Sequence, residues 1–110
     1  MKPLELAQIC KCLSADTRLR LLRLLKDHSL CVGALARRLG ITPGAVSQHL
    51  RILRQAGLVV PEKRGYFVHY RVDQRALDQW LSTLQKTFGP QAGREYGPPP
   101  FSLTMTPKGE

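Results

Sequence analysis

Apolar positions along this chain recur first with a helical period and then, abruptly, with a period of two. Leu6, Ile9, Cys10 and Leu13 follow the i, i+3, i+4, i+7 spacing of an amphipathic helix entered after Pro3. Residues 14–16 supply capping side chains for a second helix, predicted over residues 17–26. Its Leu19, Leu22 and Leu25 form a stripe that Leu21 and Leu24 broaden. A helix apolar over most of its circumference belongs at the centre of a fold, touched on several sides. Val32, Leu35, Ala36 and Leu39 mark a third helix, stopped by Gly40.

Only Ile41 and Thr42 separate that glycine from Pro43, where a fourth helix begins. Thr42 is a good N-cap, Pro43 suits the first helical position, and Gly57 supplies the stop. At about 100° per residue, Val46, Leu50 and Leu53 share one stripe. Gly44, Ser47, Gln48, Arg51 and Gln55 fall opposite, with Arg54 at the margin. Two short helices, a tight Gly-containing turn and a polar-faced second member make a helix-turn-helix. Small residues at the start allow close approach, and the amide and guanidinium groups behind them can read base edges in a groove.

After Gly57 the period becomes two. Residues 58–63 and 66–72 read as strands joined around Arg64-Gly65, a hairpin wing. Tyr66, Val68, Tyr70 and Val72 share one face; Phe67, His69 and Arg71 share the other. Pro61 is tolerable because both strands of a lone hairpin are edges. Asp73 then caps a last helix to Phe88, with Leu77, Trp80, Leu81 and Leu84 in register and Gly89 ending it. The predicted fold is therefore mainly α with a small β-hairpin, in the order α-α-α-α-β-β-α. Residues 1–89 form a winged-helix domain for DNA binding and dimerisation. Residues 90–110, with five prolines and three glycines, form a tail that Phe101 and Leu103 could anchor.

Charge sharpens this picture. The 110 residues carry a net charge of +9, which calls for a polyanionic partner without naming it. Between Ser14 and Val72 there are eleven Lys or Arg against three acids, so the excess belongs to the middle of the chain. No stretch approaches the length of a bilayer span, and Lys2 is followed by no long apolar core, so no membrane role and a cytoplasmic location are expected. Three cysteines, an odd number, point to a reducing compartment rather than a disulfide framework. His28, His49 and His69 fall in no nucleophile or metal motif, and no Gly-rich loop cradles a phosphate; an enzyme is not expected.

Residues 13–25 (Leu-Ser-Ala-Asp-Thr-Arg-Leu-Arg-Leu-Leu-Arg-Leu-Leu), 30–36 (Leu-Cys-Val-Gly-Ala-Leu-Ala), 46–59 (Val-Ser-Gln-His-Leu-Arg-Ile-Leu-Arg-Gln-Ala-Gly-Leu-Val) and 65–72 (Gly-Tyr-Phe-Val-His-Tyr-Arg-Val) together resemble the ArsR/SmtB family. The resemblance runs in order over residues 4–88 and leaves out the tail. It implies a homodimeric winged-helix repressor whose first and last helices form the interface. In that family an inducer, often a metal or metalloid, releases the protein from its operator.

Ser47, Gln48 and Arg51 are the base-reading candidates, with Thr42 and Gly44 allowing close backbone approach and a phosphate contact at the helix start. Arg37 and Arg38, off the apolar stripe of the third helix, are placed for phosphate. Lys63 and Arg64, with Tyr66, occupy the wing tip, where backbone or minor groove would be met. His49, beside the stripe, reads as half-buried packing. The expected partner is double-stranded DNA bearing an inverted repeat.

The cysteines bear on what is sensed. Metalloid-responsive members of the family carry Cys-Val-Cys in the third helix; here Cys31 matches the first cysteine and Gly33 stands at the second. The transition-metal site of other members uses Asp and His on the last helix, which here has no histidine. Cys10 and Cys12 remain, together with Cys31, as a candidate thiolate site for As(III) or Sb(III), with no obligatory cofactor. Residues two apart on a helix point about 200° from each other, which puts Cys10 on the apolar stripe and Cys12 in solvent unless the helix frays. Oxidation of the same thiols is the alternative, and a winged-helix module for protein or RNA without operator recognition is a reading of a different class.

Overall fold

The computed structural model describes residues 3–90; the tail beyond residue 90, including Phe101 and Leu103, lies outside the described residues. The elements are α1 (Pro3–Cys12), α2 (Asp16–Asp27), β1 (Leu30–Cys31), α3 (Val32–Leu39), α4 (Pro43–Gln55), β2 (Val59–Arg64), β3 (Phe67–Val72) and α5 (Gln74–Phe88). This is a mainly helical winged helix-turn-helix with a small antiparallel sheet, ordered β1-β3-β2. The two-residue β1 was not legible in the hydrophobic pattern. It pairs Leu30 with Tyr70 and Cys31 with His69, so β3 is a central strand rather than one half of a lone hairpin. Pro61 lies on β2, whose free edge tolerates it.

The core gathers Leu21, Leu25, Leu35, Val46, Leu50, Leu53, Leu58 and Val59, each essentially sealed from solvent. Each such side chain contributes roughly 1.5–3 kcal/mol of burial. Hydrogen bonds at the hairpin base tie the sheet to this core: Leu58 N donates to Leu53 O at 3.0 Å and Asp73 N to Leu58 O at 2.8 Å.

Two helices are rolled differently from expectation. On α2 the buried line is Leu21, Leu22 and Leu25, while Leu19 is 45% exposed. The helix also starts without a side-chain cap: Ala15 is its N-cap, and Ser14 Oγ instead donates to Lys11 O at 2.7 Å. On α1 the buried line is Leu6, Ile9 and Cys12, and Cys10 is exposed. The expected orientations of the two thiols are thus inverted. A line advancing by three residues rolls back by about 60° per step, and it carries Cys12, at the helix end, against α4. There its thiol lies 3.9 Å from the Ile52 carbonyl oxygen.

Candidate nucleic-acid interface

The helix-turn-helix forms where local rules agree. Gly40 ends α3 in the left-handed region at φ 68°, a conformation that a side chain would resist, and its N–H donates to Ala36 O at 2.9 Å. Thr42 Oγ1 accepts from Ala45 N at 3.1 Å, and Pro43 takes the first helical position. Val46, Leu50 and Leu53 then anchor α4 by one face. Gly57, at φ 79°, turns the chain out of it.

The opposite face is open. Thr42, Gly44, Ser47, Gln48 and Arg51 are all exposed, as are Arg37 and Arg38 at the end of α3. A Cβ placed on Gly44 would meet nothing within 4 Å, so no contact inside the protein requires glycine there. Ser47, Gln48, Arg51, Arg37, Arg38 and Lys63 spend no side-chain hydrogen bond or ion pair on another described residue. Five donor-rich side chains and one hydroxyl therefore stand free around one helix face and its neighbours.

The wing is less uniform than its sequence suggested. Pairing of Arg64 with Phe67 leaves Gly65 and Tyr66 as the two-residue turn, with Gly65 at φ 63° and Tyr66 fully exposed. Lys63 and Arg64 are successive strand residues and so leave the ribbon on opposite faces. Arg64 is not free: its Nη2 donates to Glu62 Oε1 at 2.9 Å, while Arg71 Nε donates to Glu62 Oε2 at 3.1 Å. These bonds, Arg64's first, hold the Glu62 carboxyl below its ordinary pKa.

A second charged joint lies on the other flank of α4. Arg18, from α2, donates through Nε to the Cys12 carbonyl and reaches His49 Nδ1 through Nη1 at 3.3 Å. His49 is half-buried, as its place beside the stripe suggested. No local pattern in the sequence distinguishes Arg18 from Arg20 and Arg23 on the same helix.

The thiols are dispersed. Cys10 is exposed, Cys12 buried, and Cys31 half-buried as the N-cap of α3. Burial pushes the Cys12 thiol up in pKa, and the Arg18 charge pulls it partly back. Among the described residues, no three His, Cys, Asp or Glu side chains are gathered to hold a metal ion. Nor is any helix of the described residues long and apolar enough to cross a membrane.

Residues 15–60 match the family described as bacterial regulatory protein, arsR family. An arsenic resistance transcriptional regulator of Pseudomonas putida is 34% identical over 79 residues, covering 71% of this chain and 61% of the regulator's own length. The transcriptional repressor SdpR of Bacillus subtilis is 32% identical, over 69% of this chain and 84% of the repressor. Among solved structures, an ArsR-like transcriptional regulator from Rhodococcus superimposes with a TM-score of 0.76 at 31% identity, covering 84% of this chain and 87% of that one.

Proposed function

The chain belongs to the ArsR family of winged-helix transcriptional regulators, and from that membership we propose a homodimeric repressor that reads an inverted-repeat operator and is released by a thiophilic inducer. The observation that carries the DNA reading is the asymmetry of α4. One face is locked into the core by Val46, Leu50 and Leu53, while Gly44, Ser47, Gln48 and Arg51 stand exposed on the other. A rigid helix presenting free amide, hydroxyl and guanidinium groups can exchange hydrogen bonds with base edges without first breaking its own. Arg37, Arg38 and Lys63 flank it as phosphate ligands, and Thr42 and Gly44 let the helix start approach the backbone.

Dimerisation is supported by α5, which touches α1 yet buries no residue fully and leaves Leu81 49% and Phe88 75% exposed. A second copy packed along α1 and α5 covers this surface and sets two α4 helices about 34–36 Å apart, one turn of DNA.

The test is a titration of a duplex recovered by in vitro selection against a scrambled duplex of the same length. Gln48→Ala with Arg51→Ala should cost ~1–3 kcal/mol per lost base contact on the selected duplex and little on the scrambled one. Equal losses on both would refute the assignment of readout to α4.

For the inducer, the proposal is As(III) or Sb(III) bound by Cys10, Cys12 and Cys31. The P. putida relative is named for arsenic resistance, and soft thiophilic ions favour thiolates. The dispersion of the three thiols then becomes the switch. Cys12 can join a chelate only by leaving the Ile52 carbonyl, so metalloid binding draws the end of α1 off the flank of α4. Substituting the three cysteines together by Ser should abolish arsenite release of the selected duplex while leaving binding itself intact. Release that survived the substitution would end the ligation proposal; peroxide, run in parallel, separates ligation from oxidation.

A further inference from the structure

The wing carries three formal cations, Lys63, Arg64 and Arg71, and a single acid, Glu62. Register explains how the acid meets two of them. Glu62 lies opposite His69 on β3; Arg64 is two residues along the same strand and Arg71 two residues past His69, so all share one face of the ribbon. Both carboxylate oxygens are committed, one to each guanidinium. Lys63 leaves by the other face and has no partner among the described residues.

We propose that Glu62 sets DNA specificity through the wing, acting as a built-in substitute for phosphate. A carboxylate holding two charge-assisted bonds offers an arginine much of what a DNA phosphate would. A phosphate that recruits Arg64 or Arg71 must therefore displace Glu62, and it leaves that negative charge facing the DNA backbone. Lys63 attracts any duplex unconditionally. Arg64 and Arg71 are released only where the groove, seated by a correctly docked α4, returns more than the Glu62 pair gives up. The acid thus weakens wing contacts on arbitrary DNA more than on a matched site, which widens the ratio between them.

This inference rests on the DNA reading above. Its experiment compares wild type, Glu62→Gln, Glu62→Asp and Arg64→Ala, and Arg64→Ala combined with Glu62→Gln, on the selected and the scrambled duplex across a salt series. Glu62→Gln should tighten binding to the scrambled duplex roughly twofold or more and steepen its salt slope by about 0.9 for each arginine newly engaged. Binding to the selected duplex should change less, so the specificity ratio falls. Glu62→Asp, too short to hold both arginines, should be intermediate, and the gain should shrink in the Arg64→Ala background. A merely structural role for Glu62 would move the thermal midpoint and leave the salt slope unchanged. Unchanged slopes, equal changes on both duplexes, or a gain undiminished without Arg64 would overturn the proposal while wild-type binding still upheld the DNA reading. Absence of salt-dependent binding by the wild type would remove both.

Discussion

Arg18→Ala tests the joint between the first helix and the reading helix. The guanidinium links the Cys12 carbonyl, at the end of α1, to His49 on α4. Hydrogen bonds involving a charged group contribute about 1.5–3 kcal/mol each. Here the site is only part-buried, and the bond to His49, at 3.3 Å, is longer than ideal. The expected loss is therefore near that of one such bond, about 2 kcal/mol, rather than the sum of two. For a domain of this size that corresponds to ~8–16 °C in the thermal midpoint. Urea unfolding at fixed protein concentration, with linear extrapolation, measures it; the concentration must be held because dimerisation adds to apparent stability. Arg18→Lys keeps the charge, but a single ammonium cannot fork between two acceptors, so it should restore less than half of the loss. Combining Arg18→Ala with His49→Ala should give less than the sum of the single effects, by ~0.5 kcal/mol or more. A change below ~0.5 kcal/mol for Arg18→Ala, or full additivity with His49→Ala, would show that this joint does not hold α1 to α4.

Other consequences follow from the same geometry. Thr42→Val removes the oxygen that caps Ala45 N and should cost about 1 kcal/mol of stability, recovered by Thr42→Ser, as thermal unfolding would show. Iodoacetamide followed by mass spectrometry should label Cys10 first and Cys12 last, since Cys12 is buried and its thiol is pushed up in pKa; labelling of Cys12 ahead of Cys10 would contradict the observed roll of α1. Arg37→Ala and Arg38→Ala should weaken selected and scrambled duplexes by the same factor, each lowering the salt slope by about 1 for a lost phosphate contact.

The helix-turn-helix was readable residue by residue because its determinants are local. Thr42, Pro43, Gly40 and Gly57 act on their own backbone, and the stripe of Val46, Leu50 and Leu53 is a property of one helix. Its polar face followed by subtraction. The alternation of the wing was equally plain, and so was the cap of α5 by Asp73, which accepts from Ala76 N. β1 escaped because two residues have no period; only their pairing with Tyr70 and His69 makes them a strand. Ser14 escaped because its hydroxyl donates to Lys11 O instead of accepting from the N–H groups at the start of α2, a choice made by the turn between the two helices.

What the amino-acid order determined by itself was the five helices and the two strands of the wing, the anchored and open faces of α4, and the family to which the chain belongs. Tertiary structure decided which of two neighbouring cysteines meets α4, which of the arginines joins α1 to it, and which wing cations are held by Glu62. The physical reason is common to all three. A residue at the edge of an apolar stripe is equally compatible with burial and with solvent until a partner helix sets the roll, and that partner put Cys12 inside and Cys10 outside. Likewise a charge meets its partner through strand register or helix crossing: Glu62 and Arg71 are nine residues apart in sequence, and Arg18 and His49 are thirty-one.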